Sequence, residues 1–167
     1  MYRFVTVLSA AMLALPVCGQ ERTIELLTKH WKTSAEFTKA VADLMPAESY
    51  DFQPNAEEMG FGALMIHIAD ANNRNLALVA GVQNPLPKVD KTDKATAMKY
   101  LDASFEFALA TIAKLTREDL DRMTGPEGRQ MSGVERIWAY FTHTAHHRGQ
   151  AEVYLRVKNI KPPAYRF

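Results

Sequence analysis

An all-α fold, a four-helix bundle, is the fold class this chain predicts. Three observations lead there. Four long stretches repeat their apolar residues at helical spacing, no β-alternating run with turn signals occurs, and prolines and glycines cluster between the four stretches. With 167 residues the chain is long enough for one domain with a sizeable core. The helical stretches run roughly 20–27 residues and their connections about 10–16, longer than a minimal up-down bundle needs. Long connections are often where a binding cleft is built.

The first helix is expected over residues 23–45, where Leu26, Leu27, Trp31, Phe37, Val41 and Leu44 recur at roughly helical spacing. Pro46 and the polar stretch to Asn55 end it. The second spans residues 57–80, and Gly81 stops it as a glycine just past a helix end does. Pro85 and Pro87 keep the next loop non-helical. The third spans residues 92–115. A short helical turn follows at residues 117–122, then a Gly/Pro loop at residues 125–128. The fourth begins at Ser132, because Ser132 and Glu135 form an S-x-x-E capping box, and it ends near Lys158-Asn159, before Pro162-Pro163. There is no internal repeat and no low-complexity tract.

The N-terminus reads differently. Arg3 supplies a basic start, residues 4–17 are almost all apolar or small, and Val17 and Gly19 suit the −3 and −1 positions of a cleavage site before Gln20. The sequence therefore predicts a secretory signal peptide over residues 1–19, a domain over residues 20–167, and an exported protein, periplasmic or secreted. A lipoprotein would be cut before Cys18, where Pro16-Val17 match the required small residues poorly. An apolar first helix retained on the fold is the other reading, but the run shows no amphipathic stripe.

Cleavage removes Arg3 and no acid, so the mature chain is close to neutral. It also removes Cys18, the single cysteine, and with it any disulfide, thiolate nucleophile or cysteine metal site. No Lys/Arg cluster stands out, which argues against a nucleic-acid surface. No later run is long and apolar enough to span a membrane.

The run His143-Thr-Ala-His-His147-Arg-Gly-Gln150 carries the chemistry. His143 and His147 are four apart, so on a helix they share a face, with Cβ atoms about 5–6 Å apart. Two imidazoles at that spacing can share one metal ion. Val134, Ile137, Trp138, Phe141 and Ala145 gather as the core stripe of this helix with Leu155 beside them, and His143 and His147 fall on a flanking stripe with Tyr140, Ala151 and Tyr154. His146 points about 60° from His143 and about 100° from His147, away from the same chelate. It reads as a surface or supporting residue.

His67 stands on a small, apolar stripe with Gly60, Ala63, Leu64, Ala71 and Leu78, so its imidazole faces the interior and needs a partner. Two readings stay open: a metal site of His67, His143 and His147, or core histidines satisfied by hydrogen bonds. His30 has no partners at useful spacing. A di-iron bundle needs Glu-x-x-His motifs and a zincin needs His-Glu-x-x-His, and neither occurs. No glutamate flanks the pair as a general base, which leaves Tyr140, Tyr154, His146 and Gln150 for polar roles. Arg148 lies near the core stripe, where an acid on a neighbouring helix such as Asp70 is the expected partner. Gly149 is expected to allow close helix packing.

These residues resemble the DinB-like (DinB/YfiT-type) metal-binding four-helix bundles. The likeness rests on residues 143–150, on Tyr154-Leu155-Arg156 and Lys161-Pro162-Pro163, on residues 61–69 around His67, and on Tyr50-Asp51-Phe52-Gln53-Pro54 as the first loop. The resemblance implies a bundle with long crossover loops. It implies His67, His143 and His147 as ligands of one divalent metal ion, Zn²⁺ or Ni²⁺ first. It also implies a homodimer, the state of many members. Some relatives are thiol-dependent transferases or isomerases, and many have no established reaction. The expected leader departs from the cytoplasmic pattern of the thiol transferases. The functional expectation is an exported metal-dependent hydrolase or thiol transferase acting on a small molecule; the alternative is a non-catalytic bundle that binds a metal or small ligand.

Overall fold

The computed structural model describes residues 14–167. Most of the expected leader, residues 1–13, lies outside the described residues. Helix α1 (Ala14–Leu44) takes up the remainder of it and runs on to the expected end. Pro46 starts a single 3₁₀ turn at Ala47–Ser49.

Helix α2 (Phe61–Ala80) begins four residues later than the periodicity suggests. The cause is tertiary: Phe61 and Gly62 donate their amides to the carbonyls of Phe52 and Tyr50, at 3.0 and 2.7 Å, so the first loop satisfies the start of the helix. Gly62 is required here, because a Cβ would run into the Thr92 carbonyl oxygen. At the other end Gly81 has φ 68° and ψ 28° and donates to the carbonyls of Ala77 and Leu78.

Helix α3 (Lys94–Ile112) is capped by Asp93, whose side chain accepts from the Thr96 amide. The short α4 (Arg117–Asp121) has its own capping box from Thr116 and Asp119. Strands β1 (Met123–Thr124) and β2 (Met131–Ser132) pair antiparallel, with Met123 opposite Ser132. Two residues per strand are too few for an alternation to show in the sequence. Helix α5 (Gly133–Val157) starts at the expected capping box of Ser132 and Glu135.

Helices α1 and α2 each pack against both α3 and α5 but hardly against one another. Successive helices α1 and α2 therefore sit on a diagonal of the bundle, as do α3 and α5. Their connections cross the bundle ends, which accounts for their length. Trp31, Phe37, Phe61, Met65, Leu101, Phe105 and Ile137 are among the fully buried side chains of the single core. Among the described residues no helix is long and apolar enough to cross a membrane.

The buried line of α5 differs from the expected core stripe. Ile137, Thr144, Arg148, Ala151 and Leu155 are buried, whereas Trp138 is 42 % exposed. Polar residues hid this line. Thr144 donates to Asn72 Oδ1 at 3.1 Å, and Arg136 reaches Thr124 Oγ1 at 2.8 Å and Asn75 Oδ1 at 2.9 Å. A polar side chain whose hydrogen bonds are met inside the fold is buried at little cost. Arg148 is a second correction. It turns to α1, where Nη1 donates to Ser34 Oγ at 3.1 Å, while Asp70 is taken by Arg74 on its own helix at 3.2 Å. Gly149 is a third: it is exposed, and a Cβ there would meet nothing within 4 Å, so no neighbouring helix needs it.

Candidate metal centre

The site lies where α2 faces α5. His67 comes from the second turn of α2, and His143 and His147 from successive turns of α5. All three are half-buried. His67 Nε2 lies 3.1 Å from His143 Nε2, and His147 Nε2 also lies 3.1 Å from His143 Nε2. One nitrogen from each ring falls within 4.8 Å of the others.

Protons alone do not satisfy this cluster. His147 Nδ1 lies 2.6 Å from Gln150 Oε1, a carbonyl oxygen that can only accept, so Nδ1 carries the proton and Nε2 presents a lone pair to the centre. His143 Nδ1 is buried with no partner. If the neutral His143 holds its proton on Nδ1, that N–H is stranded; if it holds it on Nε2, the Nδ1 lone pair is stranded. Full protonation is opposed: burial, then the neighbouring His147 and His67, lower the His143 pKa from 6.5 to about 4. The His67 pKa is lowered too, first by burial, then by His147 and Arg74, with Asp70 opposing.

Three imidazoles that bring one nitrogen each to a common point, when neutral, are a donor set for a divalent cation. Bonds of about 2.1 Å at tetrahedral angles separate ligand nitrogens by about 3.4 Å, so the two separations of 3.1 Å need to open by only a few tenths of an ångström. The residues fit the ion that the sequence suggests.

The other candidates take different places. His146 is exposed; its ring centroid is 4.9 Å from that of His147, yet its nitrogens do not join the cluster. The Tyr140 ring stands 5.5 Å from that of His143, at the edge of the site. Tyr154 is structural, donating to the Met59 carbonyl at 2.9 Å and pinning the first loop. His30 is remote, its ring 4.6 Å from that of Phe167. Sequence reasoning missed the support beneath the histidines: Asn72 anchors Thr144, one residue past His143. The signal was present, since Asn72-Asn73 interrupts an otherwise apolar helix face.

A family model described as the DinB superfamily matches residues 27–151, a span that holds all three histidines. The chain belongs to the DinB superfamily. Among curated relatives of this DinB-superfamily chain, the uncharacterized protein YjoA of Bacillus subtilis (strain 168) is 26 % identical over 135 residues, 78 % of this chain and 87 % of that protein. The crystal structure of YjoA, a DinB-like protein, superposes with a TM-score of 0.73 at 20 % identity, covering 84 % of this chain and 98 % of that one. A DinB-like protein from Bacillus cereus ATCC 10987 gives a TM-score of 0.70 at 20 % identity, over 85 % and 97 % of the two chains. A conserved protein from Enterococcus faecalis gives 0.65 at 16 % identity, over 79 % and 94 %. At these identities the structural likeness speaks for the DinB fold alone.

Proposed function

We propose that this protein binds one divalent metal ion, Zn²⁺ or Ni²⁺, through Nε2 of His67, His143 and His147, and uses it as a hydrolase or thiol transferase on a small molecule. The observation that carries the reading is the meeting of three Nε2 atoms from two helices, with His147 turned towards the others by its Nδ1 contact to Gln150. A bound ion with open positions supplies an acidified water or thiol as nucleophile. The chain's own contribution is positional. Gln150 orients His147, and the Asn72–Thr144 pair holds α2 and α5 in register beneath the histidines. The ring of Tyr140 borders the site, where its hydroxyl can meet a substrate.

Elemental analysis of the purified chain and of His67→Ala tests the metal. One ion per wild-type chain and none in the variant is the expected result; equal content in both sinks the reading. A panel of esters, amides and thiol acceptors then tests turnover. One observation favours the non-catalytic alternative: among the described residues no carboxylate joins the histidine cluster to serve as general base. Metal binding without turnover on any panel member would select it.

Export belongs to the same proposal and rests on the basic start and apolar run of residues 1–19. A mature N-terminus at Gln20 is expected, and an intact Met1 on the cellular protein would refute it. A homodimer is the expected state in sedimentation, on family resemblance.

A further inference from the structure

A cavity lies on the flank of α5 away from the histidine cluster, between that helix, α1 and residues 165–167, with a volume of about 300 Å³. Phe37, Phe141, Ala145 and Tyr165 supply apolar wall, and Arg148, Arg166 and Glu152 are its charged members. Arg148 is the unusual member. It is only 7 % exposed, and among the described residues it forms no ion pair. Its Nη1 donates to Ser34 Oγ at 3.1 Å and Thr38 Oγ1 at 3.4 Å, both neutral hydroxyls. The Phe37 ring covers one face of the guanidinium at 4.4 Å. Nε and Nη2 have no protein acceptor among the described residues, yet they are not sealed off from solvent.

A buried guanidinium held in place by hydroxyls and an aromatic face, with three N–H donors on Nε and Nη2 unspent, lacks a hydrogen-bonded anion. Its planar fork matches a carboxylate in shape. Glu152 lines the same cavity and its charge is felt by Arg148, but its carboxylate is turned to Arg156 at 3.7 Å and forms no ion pair with Arg148, so a ligand with one carboxylate is favoured over one with two. The volume is at the lower end for ligand pockets, and the walls are mostly apolar.

We propose that this cavity is a binding site for a small apolar monocarboxylate, its carboxylate on the Nε–Nη2 edge of Arg148 and its hydrocarbon body between Phe37, Phe141 and Tyr165. The site is separate from the histidine cluster and independent of the metal reading, because Arg148 faces α1 while the histidines face α2.

Titration calorimetry of the full chain in chelator, with benzoate as probe and benzamide as its neutral isostere, tests this. Saturable one-to-one benzoate binding is expected, with benzamide at least about tenfold weaker. Arg148→Gln should lose about tenfold or more in benzoate affinity. Ala145→Leu, which fills the cavity while leaving the guanidinium in place, should abolish binding and decides the matter if the arginine variant does not fold. His67→Ala should bind benzoate as wild type does. The proposal is overturned by absent benzoate binding, by equal benzamide binding, by undiminished binding in Ala145→Leu, or by loss in His67→Ala, which would put the anion at the histidines.

Discussion

Replacing His143 with leucine separates what the histidine cluster costs from what a bound ion returns. In chelator, His143 leaves a buried Nδ1 unpartnered, and an unsatisfied buried polar atom costs about 1–3 kcal/mol. Leucine has a similar volume and no polar atom, so it removes that cost while still filling the space between Tyr140, His67 and His147. Taking the lower end because the residue is only half-buried, His143→Leu should gain about 1 kcal/mol in chelator, a rise of about 2–4 °C in melting temperature for a chain of this size. With Zn²⁺ at a hundredfold excess over its Kd the wild type gains about 2.7 kcal/mol, whereas two imidazoles hold the ion poorly and the variant gains little. The order of stability therefore reverses, with the wild type ahead by roughly 2 kcal/mol in metal. Thermal melts at pH 7.5 followed by circular dichroism, in chelator and in Zn²⁺, read both numbers. If His143→Leu is less stable than wild type by the same amount in both buffers, the three histidines form a structural hydrogen-bonded network and the lone-pair reasoning fails.

Three further outcomes follow from the same geometry. The metal-free protein should lose stability as pH falls from about 6.5 towards about 4, because the unfolded chain takes up a proton on His143 that the folded chain, with its pKa lowered to about 4, refuses; melts of wild type across that window should slope more steeply than those of His143→Leu. Gln150→Ala should weaken metal affinity about 10–100-fold, since His147 loses the acceptor at 2.6 Å that fixes its tautomer, while His146→Ala should leave affinity within about twofold; competition with a chromogenic chelator measures both. Ser132→Ala should cost about 1 kcal/mol in urea unfolding, because α5 loses its capping box, with no change in metal affinity.

Much of this molecule is legible along the chain. Local rules place the helix ends where one residue decides them: Gly81 at its left-handed cap, Pro46 after α1, Ser132 and Glu135 at the start of α5. The i, i+4 spacing of His143 and His147 is likewise a property of one helix, as is the exclusion of His146 from their face. The start of α2 was not legible, because the carbonyls that satisfy its first amides belong to Tyr50 and Phe52 in a folded loop.

By itself the sequence determined the all-α class, the four long helices and the shared face of two histidines, since each depends on spacing within a few turns of one helix. Only the tertiary structure decided that His67 reaches the other two, that Gln150 rather than His146 supports His147, and that Arg148 faces two hydroxyls on α1 and not Asp70. Those contacts join residues as many as 114 positions apart. Periodicity ranks a residue by its own polarity, whereas burial depends on whether a distant side chain supplies the missing hydrogen bond, and that is settled when the helices pack.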